Sequence, residues 1–145
     1  MASVIRGSDN FDTTPPSVGK VVLSSGNISN TSTSFVDVTG ASITITTGAN
    51  PIYIGACFSF RNNNVNYDTS FNFTIDGALQ MGNLGVIQDQ GSATSAWSLC
   101  APHVQSVALS AGSHTIKLQW KVAGGTSLML ANGNENVQFF VNEIK

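Results

Sequence analysis

Two histidines are the first candidates for chemistry, because a nucleophilic triad would need one of them beside an acid and a serine or cysteine. His103 follows Ala101-Pro102 in a predicted loop, and His114 stands in AGSHTIKLQW at the mouth of a turn before a strand. Neither lies in a G-x-S-x-G or Cys-His setting. We therefore expect no catalytic residue and no enzymatic activity, and we interpret His114 as a turn residue that hydrogen-bonds nearby backbone.

Metal binding would require clustered acids, thiols or imidazoles. Asp68, Asp76 and Asp89 do not lie in the alternating acidic loop of an EF-hand. Cys57 and Cys100 are far from any pairing of Cys or His at zinc spacing, and both lie in apolar, strand-like contexts that favour free thiols. The sequence predicts no metal site and no cofactor.

Two aromatic residues could instead bind a sugar. Tyr67 lies in the polar stretch RNNNVNYD and Trp97 in TSAWSL, where a ring could stack on a glycan while nearby asparagines bond its hydroxyls. The alternative is that Trp97 belongs to the core and Tyr67 caps a loop. Both interpretations remain open from the sequence.

The composition excludes some partners. Charged residues make up 10% of the chain, the net charge is −2, and the six basic residues are scattered, so there is no basic patch for nucleic acid. No apolar run approaches the roughly 20 residues that span a bilayer, and the start lacks the apolar core of a signal peptide, so we expect no membrane partner and synthesis in a cytosol. Sparse charge also permits close self-association.

The elements that must position these residues are strands. From Lys20 onward, short alternating runs are separated by turn clusters, and no window has a sustained apolar helical face. Asp76-Gly77 is typical of a type I′ hairpin turn. We predict an all-β domain over residues 20–145, a jelly-roll β-sandwich of about eight to ten antiparallel strands. Residues 1–19, which contain Pro15 and Pro16, are predicted to be an extended arm.

The faces of these strands predict a core and a contact surface. The predicted core faces are Ile52, Ile54, Ala56, Phe58 and Phe60 in one strand, Phe71, Phe73 and Ile75 in the next, and Ile116, Leu118 and Trp120 after His114. In the terminal run, Val137, Phe139 and Val141 alternate with a second apolar row that contains Phe140 and Ile144. Tyr53 is expected to join this second row. A neighbouring subunit would cover it, or else a loop or the arm folded across it.

The stretches VIRGSDNFDTTPPSVG, STSFVDVTGASITITTG and LSAGSHTIKLQWKVAGGT resemble small structural proteins of tailed bacteriophages, and fibre-tip modules with a jelly roll like that of C1q or tumour necrosis factor. The resemblance extends over nearly the whole chain. It implies a homotrimer around a threefold axis, without catalytic residues.

Two roles are compatible with this resemblance. A decoration, or cement, protein sits as a trimer on the outside of a phage head, bound to the major capsid protein. In that role Val4, Ile5, Arg6 and Phe11 of the arm would grip the capsid, and Tyr53, Phe140 and Ile144 would form the subunit interface. The protein would assemble in the host cytoplasm and remain on the virion. The alternative is a receptor- or carbohydrate-binding fibre-tip module that contacts a host glycan through Tyr67 and Trp97.

Overall fold

The computed structural model of the chain describes residues 14–90, 96–133 and 135–145. Regular structure in these ranges consists of strands, and they contain no helix that could span a membrane. The strands are β1 (Val18–Leu23), β2 (Ile28–Asn30), β3 (Val36–Thr47), β4 (Ile52–Asn62), β5 (Asp68–Ile75), β6 (Ala78–Leu79), β7 (Ile87–Gln90), β8 (Ser98–Cys100), β9 (His103–Gln105), β10 (Gly112–Val122), β11 (Ser127–Met129) and β12 (Val137–Glu143).

Several of these segments are halves of one interrupted strand. β12 pairs with the first half of β4 and β11 with its end, along the same edge, and the Leu130 N–H donates to the Ser59 carbonyl between them at 2.9 Å. β9 and β8 pair in the same way along the other edge of β4, joined by an Ala56 N–H to Pro102 carbonyl bond of 3.0 Å. Each pair therefore acts as one strand with a break in its ladder.

Merging the interrupted segments leaves eight strands in two antiparallel sheets. The first sheet has the order β1/β2, β11/β12, β4, β8/β9, and the second has the order β3, β10, β5, β6/β7. Consecutive strands alternate between the sheets except at the hairpin from β5 to β6/β7, as in the two Greek keys of a jelly roll. The prediction of an all-β jelly-roll sandwich is confirmed.

The inner faces of the two sheets form one aromatic-rich core. Phe71 of the second sheet lies between Phe58 and Phe60 of the first, with ring centroids 4.7 and 4.9 Å away. Phe73 stacks on Phe139 at 6.0 Å. The residues predicted from alternation to form the core in β4, β5 and β10 are all buried. Each large side chain among them stabilises the fold by about 1.5–3 kcal/mol through burial of apolar area.

The predicted hairpin after β5 is also present. Asp76 and Gly77 have φ values of 51° and 86°, the positive values that a type I′ turn requires at both central positions. Asp76 is the single non-glycine residue with positive φ in the described ranges. Aspartate tolerates this conformation better than most residues, and here its carboxylate accepts the Thr115 N–H of β10 at 2.8 Å.

The structure places both histidines differently from the sequence-based prediction. His103 begins β9 and does not lie in a loop. His114 is the third residue of β10 and is buried, because it continues the inward row of Ile116 and Leu118. Val4, Ile5, Arg6 and Phe11 of the predicted arm lie outside the described residues. β1 begins at Val18, within the segment predicted to be the arm.

Candidate interaction surface

The solvent side of the first sheet is called here the first outer face. It is formed by every second side chain of β1, β12, β4 and β8/β9, namely those that point away from the core. Cross-strand register sets these residues in rows, such as Val18, Asn142, Tyr53 and Gln105. The next row contains Lys20, Phe140, Gly55 and His103. Because paired residues in antiparallel strands share a face, side chains from four strands form one continuous surface.

Little charge lies on this face. Among its described residues Lys20 and Arg61 are the charged side chains, and none is a carboxylate. Large apolar side chains reach solvent here, with Leu99 76% and Val18 68% exposed, together with Val22. Such a surface is typical of a protein–protein contact, whose core is depleted of charge.

Two of the three predicted interface residues lie together on this face. The rings of Tyr53 and Phe140 are 6.2 Å apart, and His103 lies on the other side of Tyr53 at 5.9 Å. Phe140 lies flat over Gly55, since a side chain at position 55 would occupy the space of its ring. Glycine at this position lets the aromatic ring pack closely against the sheet.

Ile144 lies just beyond the end of β12, at one end of the same face. Its N–H donates to the Pro51 carbonyl at 2.9 Å, and its side chain is half-buried. It therefore continues the edge of the surface formed by Tyr53 and Phe140 without contributing to the centre.

Trp97, one of the two predicted sugar-binding residues, lies beside the other end of this face. It is 37% exposed and is not a core residue. The Arg61 guanidinium lies over its ring at 4.7 Å from the centroid. This cation–π contact covers one face of the ring, so a sugar could stack only on the opposite face.

Tyr67 lies elsewhere, in the connection between β4 and β5. Its ring packs against Gly124, and its N–H donates to the Asn64 carbonyl at 3.2 Å. The side-chain oxygens of the neighbouring asparagines accept backbone N–H groups: Asn62 from Asn64 at 3.0 Å and Asn63 from Thr126 at 2.8 Å. The Asn63 oxygen joins two loops and the Asn62 oxygen braces its own loop, so each already accepts one backbone N–H.

The two cysteines have different environments and are not bonded to each other. Cys57 is exposed on the first outer face, in the row of Val22 and Gln138. Cys100 is buried, and desolvation, with smaller effects of Asp89 and Cys57, raises the pKa of its thiol to about 12. Reagents in solution can therefore reach Cys57, whereas Cys100 is buried with its thiol protonated.

His114 bonds to local backbone, as predicted, and to a second partner that the sequence did not reveal. Its Nε2 lies 2.9 Å from the Ser110 carbonyl oxygen and its Nδ1 2.7 Å from Asp76 Oδ2. A carbonyl and a carboxylate are both acceptors, so this site favours the protonated ring, in which both nitrogens donate. The hydrogen bond to Asp76, and then that to Ser110, raises the pKa of His114. This arrangement joins a turn to a strand and leaves no ring nitrogen for proton transfer.

Within the described ranges, no group of three or more His, Cys, Asp or Glu side chains could hold a metal ion. The chemistry that the first outer face supports is apolar contact.

Sequence reasoning missed several residues of this surface. Leu99, Val18 and Val22 are exposed, yet each lies in a short alternating run in which either row could face the core. The pairing of β1 with β12 is what assigns Val18 and Val22 to the face of Phe140. That pairing is not readable from local sequence.

Comparison with known proteins gives a likeness of fold. A chain in the structure of the infectious bursal disease virus Gt strain matches with 14% identity and a TM-score of 0.50, over 98% of this chain and 42% of that chain. Eiger TNF from S. frugiperda matches with 9% identity and a TM-score of 0.48, over 91% of this chain and 94% of that one. Murine APRIL matches with 8% identity and a TM-score of 0.47, over 88% and 98%.

No protein-family model and no curated protein matches the sequence. The chain spans less than half the length of the viral chain, at 42%. At such low identity a structural match carries information about fold and not about binding partners. The chain is therefore a jelly roll similar in fold to a chain of a viral particle.

Proposed function

We propose that this protein is a non-enzymatic structural protein of a virus particle, which binds the outer surface of a phage head as a homotrimer and stabilises it. The observation that carries the proposal is the first outer face, a broad surface with exposed apolar side chains and no carboxylate among its described residues. The jelly-roll fold, which a viral chain shares, is consistent with the coarser part of this proposal, a structural protein of a virus particle.

In this proposal, copies of the chain cover one another's first outer face, with Tyr53 and Phe140 near its centre and Ile144 at its end. A lone copy would leave Leu99 and Val18 in water, at a cost of about 25 cal/mol for each Å² of apolar area. A second copy is the favoured occupant because the face has too little charge to attract a charged partner, and self-contact does not require opposite charges to meet. Closed rotational symmetry then limits the assembly to a ring.

The arm completes the attachment. Residues 14–17 lie beside the end of β12, so the predicted arm joins the body at that end. Rotation about a threefold axis brings the three equivalent ends to one pole of the trimer, where Val4, Ile5, Arg6 and Phe11 of each arm would reach the major capsid protein. Three weak contacts linked in this way act at high effective concentration.

Deletion of residues 1–13 tests the capsid contact. The truncated protein is expected to fold and assemble as the full chain does, because strand pairing starts at Val18. We expect its affinity for capsids to fall at least about 100-fold, since three arms are lost together. Cosedimentation with purified capsids measures the affinity, and analytical ultracentrifugation of the free protein is the control.

Undiminished capsid binding by the truncated trimer would contradict this role for the arm.

The second candidate function, a carbohydrate-binding fibre-tip module, is favoured by the exposure of Trp97. Absence of capsid binding by the full chain, together with a specific glycan signal that is lost in Trp97→Ala, would support that module instead.

A further inference from the structure

The carboxylate of Glu143, at the end of β12, receives three hydrogen bonds although the residue is buried. Its Oε2 accepts the Ser17 N–H at 3.0 Å. Its Oε1 accepts the Gly48 N–H at 2.7 Å and the Asn50 side-chain amide at 2.9 Å. One side chain thereby joins the start of β1, the end of β12 and the connection from β3 to β4.

The segment 14–17, called here the arm root, is held by further bonds. The Glu143 N–H donates to the Ser17 carbonyl at 2.8 Å, so the two residues bond in both directions. The Ser17 hydroxyl donates to the Thr46 carbonyl, and Lys145 Nζ donates to the Thr14 carbonyl at 2.8 Å. Pro15 and Pro16 between these points have no N–H to donate. The Ser17 amide is therefore the first backbone donor after the two prolines, and it ties the root to the body.

We propose that Glu143 is a positioning residue whose carboxylate clamps the arm root to the β-body and so fixes where the predicted arm joins it. The consequence for capsid binding rests on the function proposed above, whereas the clamp itself does not.

A carboxylate is needed at this point because all three of its partners are donors and it offers acceptors alone. The hydrogen bonds from Asn50, then Ser17 and Gly48, hold the pKa of Glu143 below its usual range. The clamp therefore stays ionised at neutral pH. A glutamine of the same shape has one oxygen and one NH₂ group, so one of the three donors must face another donor.

Glu143→Gln tests the clamp. The amide oxygen will stay with Gly48 and Asn50, which are two donors, and the NH₂ group will oppose the Ser17 N–H. We expect hydrogen exchange of the Ser17 amide to become at least about tenfold faster, since it loses its acceptor. The Gly48 amide should change less, and the amides of Ile116 and Phe73 in the paired core strands should exchange as in the wild type. Exchange is measured by NMR on the full chain.

Glu135→Gln is the matched control, because it removes the same charge from an exposed side chain in the connection between β11 and β12. Its Ser17 amide should exchange at the wild-type rate. An unchanged Ser17 rate in Glu143→Gln would overturn the clamp, as would an equal rise in both variants.

Capsid binding of the same samples separates the two proposals. Faster Ser17 exchange with at least about tenfold weaker capsid binding would support both, because a loosened root weakens the linkage among three arms. Faster exchange with unchanged capsid binding would leave the clamp established and count against the role of the arm in attachment.

Discussion

The outer faces of the two sheets differ, although strands of the same alternating type build both. On the second sheet, polar side chains pair with one another across the strands: Lys117 Nζ and Gln119 Nε2 each lie 2.7 Å from an Asp37 oxygen. Thr44 and Thr115 hydroxyls lie 3.2 Å apart. On the first outer face the corresponding contacts are between rings, such as Tyr53 and Phe140.

In this protein, which has few charges, one outer face is therefore mainly polar and the other carries exposed apolar side chains. On the second face, Asp37, Lys117, Gln119, Thr44 and Thr115 satisfy one another within one chain, whereas the buried Thr74 hydroxyl has no partner. The exposed apolar residues of the second sheet lie towards its edges: Val36 begins β3, and Leu79, Met81 and Leu84 lie in β6 and the segment after it. The first outer face instead exposes large apolar side chains to solvent.

The largest expected effect comes from placing a charge on each face. Tyr53→Glu should lower the association constant at least about 100-fold, because an unpaired carboxylate would be buried between copies at about 3 kcal/mol or more. Ser42→Glu on the second face should leave association unchanged, since Ser42 is exposed and pairs with Lys117 in the ladder. Sedimentation velocity over a range of concentrations measures both.

If the wild-type protein is monomeric at high concentration, the first outer face does not mediate association and the proposed difference between the two faces is wrong. Equal dissociation of the two variants would show that net charge, and not the position of the charge, governs association.

The second expected effect is protection of the Cys57 thiol. In the assembled protein a thiol reagent should react with Cys57 at least about tenfold more slowly than in separated chains, because neighbouring copies exclude the reagent. Cys100 should not react with the reagent, since burial raises the pKa of its thiol to about 12. The reaction is followed by absorbance above and below the association midpoint.

A cysteine on the other face provides the control for this measurement. Thr44→Cys in a Cys57→Ser background should react at the same rate at every concentration, because the second face stays in solvent. If its rate also falls on assembly, both faces are covered and the proposed distinction between them is wrong.

The smallest expected effect is a pH dependence of the free energy of unfolding, caused by the His114–Asp76 pair at the end of the second sheet. The pKa of His114 is raised, mainly by its hydrogen bond to Asp76, so its contribution to the free energy of unfolding is present below the ordinary value of about 6.5 and is lost as pH rises through the folded-state pKa. The pKa of Asp76 is lowered, mainly by the same bond, so its contribution appears above its ordinary value of about 3.8 and is lost as pH falls through the folded-state pKa. The stabilisation is therefore complete between about pH 4 and 6.5.

His114→Gln should remove this dependence. Relative to the variant, the wild type should lose about 0.5–1 kcal/mol of stability between pH 6 and 9, because the Asp76 side chain is 51% exposed and solvent screens the pair. Urea unfolding at fixed protein concentration measures the difference. A parallel pH dependence in wild type and variant would show that the pair does not titrate in this range.

Local sequence was sufficient wherever the structure depends on neighbours along the chain. Asp76-Gly77 predicts its own turn because the positive φ values and the side-chain length are properties of those two residues. Alternation in β4 and β10 predicts the buried row because the period of a strand is two. The interrupted strands were less clear, since a break in a ladder such as that at Pro102 appears in sequence as a turn between separate strands.

The sequence by itself therefore determined that this chain forms a two-sheet, all-β sandwich, and which rows of β4, β5 and β10 lie inside it. The tertiary structure decided which distant groups meet: His114 with Asp76, 38 residues away, and Glu143 with Ser17, 126 residues away. It also decided that the face of Tyr53 and Phe140 stays open and that the asparagine oxygens near Tyr67 are used internally. The physical reason is that hydrophobic periodicity is local, whereas hydrogen-bond partners and exposure follow from which strands lie side by side.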